Sequence, residues 1–421
     1  MLDRIVGTVR RHRHMNWALM DQGMVSGVNF LTTILIARHL GIEEFGRFTL
    51  AWLVVLFVTS LQMAVIVSPM MSVGPKQEPA EAPAYYGALF LQQLIFAGLT
   101  FLLILLGAYG VAALRPEWDL RALAVPLAAT AVLFQLRDFL RRYFFTRERP
   151  VMAFISDVIG YLGLLVALAL LLPFFTFDSA TVLWLIGAAS ATAILISAPF
   201  LGRLAWQLRA FLTISVRHWQ FAKWMGASAL LQWASTNLFL IVSGGLLGPA
   251  AVGALRAAET LIGINRIFFQ GLENVVPLHA VRRLTEEGPP ALGGYLRRIG
   301  VAGGLATAGV GAIAALAPGF WLELFFGETY AEHGALVYWY AVIYLVMFIG
   351  LPLRAGLRAL ENTKPIFQAT AVSAVFSLAA AMPLIDALGA TGAVAGLLVT
   401  NLLLIGVLAV HLRREMGRHD V

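Results

Sequence analysis

A stripe of charged and polar side chains runs through an otherwise apolar segment, residues 252–277. Its members recur at alternating intervals of three and four residues: Arg256, Glu259, Gly263, Arg266, Gln270, Glu273 and Pro277. That spacing predicts one face of a single helix. Because a guanidinium stays charged and can grip two phosphate oxygens, Arg256 and Arg266, together with Gln270, are candidate ligands for an anionic substrate. Glu259 and Glu273 are candidate partners of the arginines, and the alternative that these groups only neutralise one another stays open.

The composition of the chain sets the environment of this stripe. Of the 421 residues, 60% are hydrophobic and only 13% are charged, whereas about a quarter of an ordinary soluble protein is charged. No globular core needs so much apolar surface, so we expect most of it to face lipid. An arginine that faced lipid at mid-membrane would cost about 3 kcal/mol. The stripe around Arg266 is therefore expected to face protein or a water-filled cavity.

Twelve segments are long and apolar enough to cross a membrane, at about 20 residues each. The basic residues alternate between the connecting segments: 24 of the 30 Lys and Arg fall in one set, four in the other, and two inside a span. Because Lys and Arg accumulate on cytoplasmic loops, this distribution places both termini in the cytoplasm. The prediction is an all-α polytopic membrane protein of about 12 transmembrane helices. The same rule explains the net charge of +7 without nucleic acid as a partner.

A weak internal repeat relates the two halves of the chain. The matched positions are Leu40-Gly41 with Leu247-Gly248, Gly46 with Gly253, Pro69 with Pro277, Arg149-Pro150 with Lys364-Pro365, and Pro173 with Pro383. Six spans in each half predict two parallel six-helix lobes around a central cleft. The predicted organisation is an amphipathic cytoplasmic N-terminus (1–17), a first lobe (18–202), an amphipathic cytoplasmic connector (203–222), a second lobe (223–411) and a basic tail (412–421).

Uncharged polar groups also lie in the first span of each half. Ser26 and Asn29 belong to the first span, and Gln232 and Asn237 belong to the seventh. Such groups can bind a sugar or a headgroup without the desolvation cost of a charge. They can equally join neighbouring helices by hydrogen bonds, so both interpretations stay open.

Two acidic residues enter spans without a charged partner three or four residues away. Asp21 lies near the start of the first span and Asp157 near the start of the fifth. Pairing with arginines of neighbouring helices is the interpretation that we favour. Burial could instead raise the pKa of either carboxyl group and suit it to proton coupling.

Two motifs resemble those of a known family. The first runs from Asp21 and Asn29 into the turn Ala37-Arg38-x-Leu40-Gly41-x-x-x-Phe45-Gly46. The second is the basic run Arg137-Asp138-x-x-Arg141-Arg142, which ends in Arg147-x-Arg149-Pro150. With the twelve-span plan, they resemble the bacterial polysaccharide-transport family, which comprises the O-antigen and exopolysaccharide flippases of the multidrug/oligosaccharidyl-lipid/polysaccharide (MOP) superfamily.

The resemblance implies a function and its partners. The expected activity is transfer of an undecaprenyl-diphosphate-linked oligosaccharide across the bacterial inner membrane by alternating access. It also implies that the first two spans of each half line the cavity, where Arg256 and Arg266 would attract the diphosphate. The expected partners are this lipid-linked oligosaccharide, membrane lipids, and, as candidates, the polymerase and glycosyltransferases of the same pathway.

Several other classes of protein are disfavoured by the sequence. No P-loop, no metal-ligand spacing of histidines, and no large outer loop for a catalytic site is present, and the chain has no cysteine. We therefore expect no cofactor, no metal site and no enzymatic activity. A multidrug or organic-cation antiporter of the same superfamily would need acidic rather than cationic residues in its cleft. A lipid II-type flippase usually carries two more spans.

Overall fold

The computed structural model describes residues 2–114 and 120–419, with side chains from residue 20 to 417 apart from 115–119, 221 and 274. In these residues, all regular secondary structure is helical, which confirms the all-α fold class. The α-helices are α1 Leu2–Gln62, α2 Ser68–Val73, α3 Ala82–Leu114, α4 Leu120–Thr146, α5 Pro150–Asp157, α6 Gly163–Leu171, α7 Ser179–Ser197, α8 Leu208–Leu247, α9 Pro249–Ile262, α10 Asn265–Glu287, α11 Pro289–Leu316, α12 Pro318–Phe326, α13 Ala335–Ala359, α14 Lys364–Leu388 and α15 Ala390–His419. Single π-helical turns, Met63–Val67 and Val158–Leu162, continue α1 into α2 and α5 into α6.

Ten helical stretches of the described residues are long and apolar enough to cross a membrane. The first stretch, Met20–Lys76, contains the first two predicted spans, which a bend at Gly41 separates. Nine further stretches each correspond to one predicted span. The predicted eighth span, residues 252–277, is absent from the ten because it is divided between α9 and α10. The first stretch counts as two spans, and the divided span adds one more. The helices therefore agree with a polytopic architecture of about 12 spans.

The chain divides into two compact units, which we describe separately. The first unit comprises Met1–Leu40 and Ala51–Leu230, and the second comprises Gly41–Leu50 and Leu231–Val421. The division between the halves falls inside α8, whereas the sequence predicted lobes that end at residue 202 and begin at residue 223. The predicted arrangement of two lobes around a central cleft stays a prediction.

Helix α4 is the centre of the first unit, where it packs against α3 and α7. Its aromatic side chains form a core with those of α3: the rings of Tyr86 and Tyr143 meet edge to face at 5.1 Å, and those of Phe90 and Phe139 at 5.0 Å. Edge-to-face contact places the positive rim of one ring on the negative face of the next. This aromatic packing holds the basic run of α4 in a defined position.

Helix α13 has the corresponding central position in the second unit, with α9, α10, α11 and α15 around it. The buried ring of Phe348 lies where a side chain at Gly303 of α11 would be, since a Cβ there would lie 2.0 Å from the ring. The same ring stacks at 6.0 Å on Phe268 of α10. These contacts fix α13 beside the divided span.

The turns at Gly41 and Gly248 have the same backbone conformation. Gly41 has φ 74° and ψ 172°, and Gly248, 207 residues later, has φ 88° and ψ 175°. Glycine is the residue that adopts positive φ without steric cost. The repeat found in the sequence therefore marks two turns of one shape, each of which starts a new helical segment.

The predicted connector and the seventh span are one continuous helix. The sequence predicted a separate amphipathic helix over residues 203–222, whereas the structure has non-helical chain up to residue 207 and then α8, Leu208–Leu247. No proline interrupts the chain until Pro249, so nothing ends the helix where the connector was expected to stop. The predicted terminal segments 1–17 and 412–421 likewise continue into α1 and α15, and the side chains of residues 1–17 lie outside the described ones.

The start of α8 is attached to α3 within the first unit. The backbone amide of Ala205 donates to the carbonyl oxygen of Pro83 (2.9 Å), and Gln92 Nε2 donates to Ser215 Oγ (2.8 Å). Tyr85 Oη and His218 Nε2 share a buried hydrogen bond of 3.1 Å. The opposite face of this segment leaves Leu212 and Trp219 exposed. The predicted connector is thus attached to α3 and is not a separate helix, and its amphipathic character stays a prediction.

His218 makes this attachment sensitive to acid. Burial, with Arg217 adjacent, lowers the pKa of His218 to about 4, against about 6.5 in an unfolded chain. Between these two values the unfolded chain binds a proton that the folded chain does not. As far as His218 is concerned, the free energy of unfolding therefore has its full value above about pH 6.5. It decreases by about 3 kcal/mol as the pH falls to about 4.

We expect His218→Gln to remove this part of the pH dependence, because glutamine can still accept the hydrogen bond from Tyr85. The measurement is the thermal unfolding midpoint of both proteins at about pH 7.5 and about pH 5. The native protein should lose more stability than the variant on acidification. Equal losses of stability in the two proteins would show that His218 does not contribute to the pH dependence.

Candidate functional site

The polar stripe of the eighth span is broken at its centre. Helix α9 ends at Ile262 and α10 begins at Asn265. The amide of Gly263 donates to the carbonyl oxygens of Glu259 (2.8 Å) and Thr260 (3.0 Å), and Asn265 Nδ2 donates to the carbonyl oxygen of Ile262 (3.0 Å). Gly and Asn favour helix ends over helix interiors. The prediction that the whole stripe lies on one face of one helix is therefore wrong.

Three charged side chains of the stripe nevertheless meet at the break. Arg256 Nη1 lies 2.9 Å from Glu259 Oε2, and Arg266 Nη2 donates to Glu259 Oε1. The side chains of Glu259 and Arg256 are 17% and 25% exposed, whereas that of Arg266 is 48% exposed. One carboxylate thus binds two guanidinium groups, so the three side chains together carry one net positive charge.

An aromatic ring of α13 packs against Arg266, the more exposed arginine. The guanidinium carbon of Arg266 lies 5.8 Å from the centre of the Tyr344 ring, which is buried. Phe269, on α10, packs against Tyr344 at 6.2 Å. The face of an aromatic ring attracts a cation and leaves the N–H groups at its edge available. The contribution of α13 was missed in the sequence analysis, although the polar residues that interrupt its apolar segment are a signal for it.

Glu273 pairs with a different arginine from the one predicted. Its Oε1 lies 3.6 Å from Arg354 Nη2 on α13. Glu273 lies two turns beyond Arg266 on α10. Gln270, one turn beyond Arg266, is exposed. The stripe therefore forms two charged contacts, one within α9 and α10 and one between α10 and α13.

The uncharged candidates of the first and seventh spans lie on different units. Ser26 accepts a hydrogen bond from Gln22 Nε2 (3.2 Å) in the first unit, where Asn29 is exposed. In the second unit, Asn237 Nδ2 donates to the carbonyl oxygen of Trp233 (3.0 Å), and Gln232 is exposed. Among the described residues, no hydrogen bond joins Gln232 or Asn237 to the arginines. Their role in binding stays a prediction.

Asp21 and Asp157 share one arginine in the core of the first unit. Arg141 Nη2 lies 2.6 Å from Asp21 Oδ2, and Arg141 Nε donates to Asp157 Oδ2. The exposed fractions of the three side chains are 12% for Arg141, 2% for Asp21 and 0% for Asp157. Each of the two carboxylates therefore pairs with an arginine of a neighbouring helix, which is the arrangement that the sequence analysis favoured. One turn away, Arg137 is buried and stacks on the ring of Tyr161 at 4.2 Å.

A family model described as "Polysaccharide biosynthesis protein" matches residues 13–276. The chain belongs to this family. The match confirms the resemblance that the motifs around Gly41 and Arg141 carry. A comparison with curated proteins gives no significant match.

Solved structures show the same fold at low sequence identity. An inward-facing multidrug resistance MATE family transporter of the MOP superfamily superposes with a TM-score of 0.75 at 14% identity, over 93% of this chain and 94% of that one. The lipid II flippase MurJ, in its inward closed conformation, gives 0.71 at 11% identity, over 96% and 89%. A MOP superfamily transporter from Pyrococcus furiosus, described by the reverse polarity of its binding pocket, gives 0.62 at 12% identity, over 96% and 94%. The polysaccharide biosynthesis protein described here therefore has the MOP transporter fold.

Proposed function

We propose that this protein is a flippase that moves an undecaprenyl-diphosphate-linked oligosaccharide across the bacterial inner membrane for O-antigen, capsule or exopolysaccharide assembly. The observation that carries the proposal is the group formed by Arg256, Glu259 and Arg266 in α9 and α10, which together make up the predicted eighth span. Membrane-buried arginines are costly, and they usually mark a substrate pathway. The family match supports a substrate from polysaccharide biosynthesis.

The geometry of the group suits a diphosphate. Arg256 and Arg266 approach one carboxylate from its two oxygens, so their donors already converge on a small anion. A diphosphate carries more negative charge than one carboxylate and offers more oxygens for charge-assisted hydrogen bonds. It could therefore replace Glu259 as the partner of Arg266, whose guanidinium edge is the more accessible.

The orientation that we propose for the protein in the membrane follows from the distribution of its basic residues along the chain. The set of segments that holds 24 of the 30 basic residues includes both termini, which we assign to the cytoplasm. The substrate would then enter from the leaflet in which lipid-linked precursors are made. We assign no catalytic chemistry to the protein, because transfer across the membrane breaks no covalent bond.

A multidrug or organic-cation antiporter is the second candidate, and its support is the fold that the chain shares with a MATE transporter. The net positive charge of the arginine group argues against it, since a cationic substrate would be repelled. For the Pyrococcus furiosus transporter, a reversed polarity of the binding pocket is described as suggesting a different function of that protein. A lipid II-type flippase remains the third candidate, on the similarity in fold to MurJ.

The test is the fate of lipid-linked oligosaccharide in a deletion strain. We expect it to accumulate on the cytoplasmic face, to return to normal with the native gene, and to persist with a normally expressed Arg266→Ala. Arg282→Ala is the matched control, because Arg282 lies on the same helix and forms an exposed pair with Glu286 at 2.9 Å. The control should restore transport fully.

The outcomes separate the candidates. A deletion that causes no accumulation but changes sensitivity to organic cations would support the antiporter instead. Full restoration by Arg266→Ala would leave a flippase but would remove Arg266 from the path of the substrate.

A further inference from the structure

Tyr344 of α13 carries a buried hydroxyl group beside the arginines of the second unit. The residue is 1% exposed, and the guanidinium carbon of Arg266 lies over its ring, 5.8 Å from the centre. Within the described part of the chain, Tyr344 Oη makes no hydrogen bond. Arg266 cannot act as its acceptor, because a guanidinium group only donates. The hydrogen atom of this hydroxyl therefore has no acceptor among the described residues.

The packing of Tyr344 does not require the hydroxyl. The ring alone makes the contact with Arg266 and the contact with Phe269, at 6.2 Å between ring centres. Phenylalanine could make both contacts without burying a polar group, and a buried hydroxyl without a hydrogen bond is costly. The hydroxyl is therefore expected to find an acceptor when a ligand is bound.

The carboxylate of Glu259 is the acceptor that the site contains. Tyr344 lies within electrostatic range of Glu259 as well as of Arg266. In the free protein, Glu259 Oε2 binds Arg256 at 2.9 Å and Oε1 binds Arg266. A diphosphate that takes Arg266 would leave Oε1 without this partner, in a side chain that is only 17% exposed. A poorly solvated carboxylate oxygen without a donor would oppose binding of the ligand.

We infer that Tyr344 receives the carboxylate of Glu259 when a diphosphate binds Arg266. Arg266 exchanges Glu259 Oε1 for a phosphate oxygen, and the hydroxyl of Tyr344 then donates to Oε1. Arg256 stays on Oε2. The exchange adds a hydrogen bond to a charged group, which is the stronger kind.

Tyr344 is thus a positioning residue, which acts on the affinity for the ligand through Glu259. It needs no contact with the ligand, in agreement with its burial. The inference rests on the proposed function, because it takes a diphosphate as the ligand of Arg266.

The test is Tyr344→Phe, which removes the hydroxyl and keeps the ring. We expect the purified protein to bind a short-chain prenyl diphosphate about tenfold more weakly, because the released carboxylate oxygen finds no donor. The thermal unfolding midpoint of the free protein should be unchanged or higher, since the hydroxyl has no partner to lose among the described residues. Tyr338→Phe is the matched control, because Tyr338 lies on the same helix and is 49% exposed. It should change neither quantity.

A double-mutant cycle with Glu259 separates this role from direct contact and from packing. In a Glu259→Gln background the side chain is neutral, so it does not depend on a new donor when Arg266 leaves. Tyr344→Phe should then weaken binding less than twofold. A hydroxyl that touched the diphosphate, or that only held Arg266 in place, would cause the same tenfold loss in both backgrounds.

Three results would overturn the inference: native affinity in Tyr344→Phe, a tenfold loss that persists in the Glu259→Gln background, or a lower unfolding midpoint of Tyr344→Phe. The last result would show that the hydroxyl is already hydrogen-bonded in the free protein. The binding measurement needs no transport. If the deletion strain accumulates no lipid-linked oligosaccharide while the cycle behaves as expected, the proposed function fails and the exchange stands. If transport fails in Arg266→Ala but Tyr344→Phe binds as the native protein does, the exchange fails and the proposed function stands.

Discussion

Arg141→Ala is expected to destabilise the first unit strongly. The substitution removes the partner that Asp21 and Asp157 share and leaves two buried carboxylates side by side. Breaking a buried ion pair by removal of one partner costs about 3–5 kcal/mol. Because the total stability of a domain is only about 5–15 kcal/mol, the first unit should lose a large part of its stability. The yield of monodisperse protein and its thermal unfolding midpoint measure the effect.

Two further variants identify the cause. Arg142→Ala removes the next residue of the same helix, whose side chain is 30% exposed and lies 3.7 Å from Asp138, so it should cost about 1 kcal/mol or less. Addition of Asp21→Asn and Asp157→Asn to Arg141→Ala should recover part of the lost stability, because the repulsion disappears. An Arg141→Ala protein as stable as the native one would contradict the proposed importance of the shared pairing.

The second large effect is expected on the affinity for the substrate. Loss of Arg256 and Arg266 should lower this affinity, whereas loss of the charge of Glu259 should raise it. The combined variant Arg256→Ala/Arg266→Ala should weaken binding of a short-chain prenyl-diphosphate sugar by about a hundredfold or more. Each hydrogen bond to a charged group contributes about 1.5–3 kcal/mol, and a tenfold change corresponds to about 1.4 kcal/mol. Glu259→Gln should instead strengthen binding by about tenfold, because it removes the anion that competes for both arginines.

Binding of the same probe to purified protein, with Arg282→Ala as the control, measures both effects. Native affinity in the double arginine variant would show that the arginines do not bind the substrate. Weaker binding after Glu259→Gln would show that the carboxylate orients the arginines more than it competes with the ligand. In that case the three charged residues would act as one preorganised unit.

The approximate number of the spans could be predicted because the signals act on each segment separately. The length of an apolar segment decides whether it can cross the bilayer, and the position of its flanking arginines decides which end stays inside. Neither quantity requires knowledge of the partner helices. The repeat at Gly41 and Gly248 was visible for a similar reason, since positive φ demands glycine at the turn itself.

The break between Ile262 and Asn265 was not predicted, because hydropathy and residue spacing describe an ideal helix. Gly263 and Asn265 only weaken a helix, and neither ends it without tertiary support. The pairing of Glu259 with Arg256 and Arg266 was predictable in spite of the break, because the three residues are close along the chain.

Pairings between distant residues needed the tertiary structure. Arg141 binds Asp21, which lies 120 residues away along the chain. Glu273 pairs with Arg354 of α13 instead of with Arg256 or Arg266. The sequence by itself determined that the chain is an all-helical membrane protein with arginines in a span. Only the folded chain decided which carboxylate each arginine meets. Charge and helical period are properties of a segment, whereas a contact depends on how two segments pack.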